Sequence, residues 1–124
     1  MNLATVEMKA FLPARDFAQS KAFYAKLGFN IPWSSDDLAY VHYGNTSFLL
    51  QAFYVPEHAG NFMMHLLVEN VDDWHAHVLA SGVVEEFGVR VDEPRDRPWR
   101  IRDFPLSDPT GVLWRIGTNI GEPA

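Results

Sequence analysis

The chain contains no cysteine, which excludes disulfides, thiolate nucleophiles and cysteine-based zinc sites together. No apolar run approaches the roughly 20 residues that a membrane helix needs. The opening residues MNLATVEMKAF lack a basic stretch followed by an apolar one, so no secretory signal is expected. A reducing cytoplasm fits both absences and is the expected location. Basic residues are scarce: 10 Lys and Arg face 16 Asp and Glu, for a net charge of −6. A field of that sign repels phosphates and argues against a nucleic-acid binder. The H-E-x-x-H and G-x-S-x-G signatures and glycine-rich phosphate loops are also missing.

What remains is folded protein. The 124 residues are 48% hydrophobic and 14% aromatic, enough for one compact domain and too few for two. Inside that domain, 1–124, one unit is written twice. Asp16 is a helix N-cap with Gln19 three residues on. Phe17, Phe23, Tyr24 and Leu27 recur at helical spacing, and Gly28 ends the pattern. Fifty-four residues later Asn70 caps, Asp73 follows, Val71, Trp74 and Val78 form the stripe, and Gly82 ends it. Strand-like segments precede both helices, MKAFL at 8–12 and FMMHL at 62–66. Each helix leads into further strands with turns at Gly44-Asn45 and Asp108-Pro109-Thr110-Gly111. The halves, 5–55 and 62–119, each read strand, helix, three strands, with YVPEHAGN at 54–61 between them. Neither half can bury a sheet face alone. The expected architecture is α+β: paired βαβββ modules forming a curved, mostly antiparallel sheet around a cavity, helices outside.

The titratable and aromatic residues give fewer leads. His75 and His77 are two apart on a helix, so they face apart and cannot share an ion. His42 alternates with Tyr40 and reads as a packed or surface histidine; His58 falls in the linker. His65 shares a strand face with Met63 and is either a cavity residue or a hydrogen-bonded interior one. Trp74 and Trp114 read as core. Trp33 follows Pro32 in a loop-like stretch, and Trp99 follows Pro98 among Arg90, Arg95, Arg97, Arg100 and Arg102. Large aromatics in polar surroundings are expected to be exposed platforms. The arginines, interleaved with acids, form either a self-paired solvated loop or a rim for a polar or anionic ligand.

The paired modules, with AFYAKLGF in the first and LSDPTGVLWRI in the second, resemble the vicinal oxygen chelate superfamily of glyoxalase I, extradiol dioxygenases and the fosfomycin and bleomycin resistance proteins. LPARDF near the N-terminus, and DPTG followed by LWRI, are most similar to the bleomycin resistance branch. The resemblance implies four metal-ligand positions, occupied here by Lys9, Gln51, Met63 and Arg115. Lys and Arg offer no free lone pair at neutral pH, and Met is a soft thioether. No metal and no other cofactor is therefore expected. The resemblance also implies a homodimer with a ligand crevice shared between chains, the first strand crossing to the partner near Pro13. There Trp33 and Trp99 would stack on a flat ligand such as a bleomycin-family antibiotic, with Gln51, His65, Arg115 and Arg102 around it. No nucleic-acid or membrane partner is expected. The alternative is a metal-dependent lyase or dioxygenase of the same superfamily, with Gln51 and His65 or His42 as shifted ligands.

Overall fold

A computed structural model describes residues 1–121. The first half contains strand β1 (Phe11–Pro13), helix α1 (Phe17–Leu27), and strands β2 (Asn30–Ser34), β3 (Leu38–Tyr43) and β4 (Thr46–Gln51). A single-turn helix, α2 (Pro56–Ala59), occupies the linker. The second half runs β5 (Met63–Leu67), α3 (Val71–Ser81), α4 (Val83–Phe87), β6 (Arg95–Asp96), β7 (Ile101–Ser107) and β8 (Leu113–Asn119). Both halves thus carry the strand, helix, three-strand order read from the sequence.

The local signals act as their chemistry requires. Asp16 Oδ1 accepts from the Gln19 N–H at 3.0 Å, and Asn70 Oδ1 accepts from the Asp73 N–H at 3.0 Å, each satisfying a donor that a helix start leaves unpaired. Gly28 and Gly82 end their helices at φ 110° and 83°, a left-handed region that favours glycine. After Gly82 the chain immediately re-enters a helix, α4, which the sequence reading missed.

Each half closes its own sheet by returning its last strand parallel to its first. The orders are β1-β4-β3-β2 and β5-β8-β7-β6. The β1–β4 and β5–β8 pairs are parallel and the other four antiparallel. The α+β paired-module architecture is therefore present, built as two mixed sheets. One face of each sheet is covered by helices. Phe48, Leu50, Val41 and Leu12 of the first, and Trp114, Ile116, Phe104 and Leu106 of the second, are buried in one continuous core with Phe23 and Tyr24 of α1.

A hydrogen-bond chain ties the halves together. The Tyr24 hydroxyl donates to Asp108 Oδ2 at 2.6 Å and accepts from Trp114 Nε1 at 2.9 Å. Asp108 Oδ1 accepts from the backbone N–H groups of Thr110, Gly111 and Val112, each at 2.9 Å. The DPTG turn is thus pinned from inside. Burial pushes the Asp108 carboxyl up, against the hydrogen bonds that hold it down, and burial beside Asp108 pushes the Tyr24 phenol well up. Among the described residues no helix is long and apolar enough to cross a membrane.

Candidate functional site

Alternation along a strand sends neighbours to opposite faces, so the buried residues fix which face stays open. On the first sheet Leu12, Ala39, Val41, Phe48 and Leu50 go inward. Phe11, Leu49, Tyr40 and Trp33 are consecutive register partners across all four strands. They form one apolar row on the open face. Trp33 is 51% exposed, and Phe11 equally so. Trp33 lies in a strand rather than the expected loop. Pro32 is tolerated there because β2 is an edge strand, and the register slips between Asn30 and Trp33. Gln51 is one rung along, with Leu38 and Pro13 as its partners.

Above this row the N-terminal segment folds back. Glu7 accepts from Lys9 Nζ at 2.7 Å, from the Tyr40 hydroxyl at 2.8 Å and from the Ser47 hydroxyl. These donors hold the Glu7 carboxyl down at about 2, against an ordinary value of 4.5. Lys9 is thereby neutralised. The even-numbered residues Val6 and Met8 are almost wholly exposed.

On the second sheet Met64, Leu66, Trp114, Ile116, Phe104 and Leu106 go inward. Met63, His65 and Leu67 lie on the open face and are exposed, in register with Leu113, Arg115 and Gly117. The expectation that Met63 and His65 share a face holds. Trp114 is 4% exposed and packs edge-on to Phe48 and Phe29. Trp99 is 60% exposed at the tip of the turn from Arg97 to Arg100, which closes through an Arg100 N–H to Arg97 carbonyl bond of 3.1 Å. Arg100 adopts φ 64° there.

Arg102 does not join this group. Its register partners are Asp96 and Thr118, on the helix-covered side of the sheet. Its guanidinium donates to Asp72 of α3 at 3.1 and 3.2 Å and to Asp96 at 3.0 Å. These carboxylates raise its pKa further. The reason is parity: Arg102 is an odd number of residues from Arg115's register partner, Pro105. Trp74, expected in the core, is half-buried and packs edge-on to Tyr43 and His77. His75 packs on Phe104 and His77 meets the Leu27 carbonyl at 2.5 Å, so the pair faces apart as expected. His58 rests against Phe62.

A cleft of about 300 Å³ lies where the two halves meet, lined by Thr46, Ser47 and Phe48 of the first sheet and Met64, His65 and Leu67 of the second, with core residues Phe29, Leu66 and Trp114 at its base. A larger, shallower cleft of about 390 Å³ lies between the Gly44-Asn45 hairpin and the start of α3. It carries none of the sequence-derived site residues.

The family's metal positions do not fit a metal. Lys9, Gln51, Met63 and Arg115 supply two cations, a thioether and one good oxygen donor. Shifted ligands on the first sheet fail on distance. Gln51 pairs with Leu38 on β3 and His42 lies four residues further, about 13 Å at ~3.3 Å per residue. Among the described residues no three of His, Asp and Glu group so as to hold an ion.

The model of the Glyoxalase/Bleomycin resistance protein/Dioxygenase superfamily matches residues 5–116. A bleomycin-binding protein solved with bleomycin is 26% identical, with a TM-score of 0.80 over 93% of this chain and 99% of that one. The bleomycin-binding protein of Streptomyces verticillus, solved with copper(II)-bleomycin, is 19% identical with a TM-score of 0.77, over 98% and 100%. Lactoylglutathione lyase of Agrobacterium tumefaciens is 17% identical with a TM-score of 0.68, over 94% and 96%. No curated protein matches the sequence.

Proposed function

The chain belongs to the glyoxalase/bleomycin resistance protein/dioxygenase superfamily, and we propose that it is a metal-free, cytoplasmic binding protein of the bleomycin resistance type. It holds a small molecule with a flat aromatic portion and works by sequestration, which needs affinity and no transition-state chemistry. The carrying observation is the open row Phe11–Leu49–Tyr40–Trp33, with a second exposed tryptophan, Trp99, at the other sheet. An aromatic platform adds roughly 0.5–1.5 kcal/mol of stacking beyond burial. Similarity to a protein solved with bleomycin supports a bleomycin-family antibiotic as the reference ligand. The poor donor set speaks against the metal-dependent enzymes of the superfamily.

The protein acts as a homodimer, with the crevice shared between chains. Support comes from large apolar side chains half-exposed on both open faces, Phe11, Trp33, Met63 and Leu67, which a monomer would leave wet. Leu3, Val6 and Met8 of the N-terminal segment are more exposed still. In this reading Trp33 and Trp99 clasp the aromatic part of the ligand, and Gln51, His65 and Arg115 meet its polar groups. Isothermal titration with bleomycin, on wild type and on Trp33→Ala, tests the reading. Saturable binding that weakens about tenfold in the variant is expected for loss of an aromatic anchor. Equal binding by both proteins would remove Trp33 from the site.

A further inference from the structure

The open faces of the two sheets differ in charge. On the first, Lys9 is paired with Glu7, and the row Phe11–Leu49–Tyr40–Trp33 carries no charged side chain. On the second, one rung runs Leu67, Gly117, Asp103, Arg95 across all four strands, and the next holds His65, Arg115 and Pro105. Directly opposed residues share a face. Asp103 is 1% exposed, yet its side chain is on this side. Gly117 makes that possible: a Cβ at 117 would come within 2.9 Å of Asp103 Cβ. Arg97 Nε donates to Asp103 Oδ1 at 2.8 Å, and Arg115 Nη1 reaches the same oxygen at 3.4 Å.

One buried carboxylate therefore anchors two guanidinium groups. Arg95, Arg97 and Arg115 against Asp103 and the edge residue Asp92 leave one net positive charge on this face. Arg115 spends one long contact on Asp103. Its other N–H groups have no partner among the described residues, and Arg95 has no ion pair there. The remaining acids of the segment are engaged or displaced. Asp96 pairs with Arg102 on the helix-covered side; Asp92, beside the Val91–Leu106 bridge, lies against Pro105 at the edge of this face, where its Oδ1 accepts from the Glu93 N–H at 2.8 Å. The chain carries a net charge of −6, so a local cationic face runs against its overall field.

We propose that this face is an oxyanion subsite, and that the ligand carries a carboxylate, sulfonate or phosphate beside its aromatic portion. The planar guanidinium of Arg115 takes two oxygens of such a group in parallel, with Arg97 and Arg95 adding charge. Asp103 holds Arg97 and Arg115 in place and keeps them from repelling each other. The aromatic part lies on the tryptophan platforms. The inference rests on the small-ligand reading of this same site and adds the sign of the ligand's charge.

The test is isothermal titration with three matched probes, 2-naphthoate, 2-naphthamide and 2-naphthylmethylammonium, at pH 8 and low salt, with bleomycin run in parallel. Naphthoate is expected to bind at least tenfold more tightly than the amide, with the ammonium weakest. The preference should shrink with added sodium chloride, since surface charge is screened. Arg115→Gln should abolish most of the naphthoate–amide difference, and Arg115→Lys should restore part of it. Circular dichroism confirms folding of both, and Arg97→Gln serves as a second variant. An amide or ammonium that binds as well as naphthoate overturns the subsite. So does a response to bleomycin alone, which leaves the sequestration reading standing. Naphthoate binding without a bleomycin response supports the subsite and rejects that antibiotic as ligand. No response to any probe overturns both.

Discussion

Tyr24→Phe removes one oxygen from the interior, and its cost can be worked from the contacts. The ring keeps its edge-on packing against Phe23, Phe29 and Phe48, so little apolar burial is lost. What disappears is the donor to Asp108 Oδ2 and the acceptor for Trp114 Nε1. Asp108 Oδ1 retains its three backbone donors, while Oδ2 and the indole N–H are left buried without partners. Each orphaned buried group costs about 1–3 kcal/mol, and bonds to charged groups fall toward the upper end. The expected loss is about 2–5 kcal/mol. Urea unfolding followed by circular dichroism measures it, with an unchanged m-value showing that the unfolded state is not the cause. The sign of the pH dependence gives a second check. A phenol raised in the folded state makes stability fall as pH climbs past its ordinary value of about 10. That alkaline slope should flatten in the variant. A loss under about 1 kcal/mol would refute the claim that this chain of bonds holds the two halves together.

Gly117→Ala places a methyl 2.9 Å from both Asp103 Cβ and Ile101 Cγ2 and 3.1 Å from the Arg102 carbonyl. Overpacking of that kind costs roughly 1–3 kcal/mol, read as a lower melting temperature, and should also weaken naphthoate binding by displacing Asp103. Arg102→Ala leaves ligand affinity unchanged, because its partners Asp72 and Asp96 lie on the helix side; a lost response would place it in the site after all. The Glu7 contacts are fully formed above pH 4.5 and are lost as pH falls toward 2, the depressed-carboxylate sign. Limited pepsin digestion should therefore release the N-terminal segment faster across that range, and Glu7→Gln should remove the pH dependence. Light scattering at micromolar concentration should report a dimer, and a monomer would contradict the shared crevice.

Much of this was legible in the sequence because the signals are local. Caps at Asp16 and Asn70, stops at Gly28 and Gly82, and the turns at Gly44 and Asp108 each act within a few residues. Two-residue alternation then sends Trp114 inward once Arg115 is placed outward. What was not legible depends on partners distant in the chain. Pro32 masked β2, since only the sheet order shows it to be an edge. Trp74 matched the helical stripe of α3, yet the hairpin at Tyr43 leaves it half-open. Arg102 joins the arginine cluster in sequence and leaves it in space, because strand parity and Asp72 of α3 draw it to the other face. The pairing of buried Asp103 with Gly117, on which the cationic face depends, crosses two strands. Only the register of β7 on β8 exposes it.

The most direct measurement is a tryptophan-fluorescence titration with bleomycin, on wild type, Trp33→Ala and Trp99→Ala. Trp33 and Trp99 are the exposed pair, against Trp114 in the core and half-buried Trp74, so a ligand stacked in the crevice should quench them selectively. The expected result is saturable quenching at micromolar or tighter affinity in the wild type, with amplitude and affinity reduced in both variants. A flat titration of the wild type, or quenching that both variants retain in full, would contradict an antibiotic-binding crevice built on these two tryptophans.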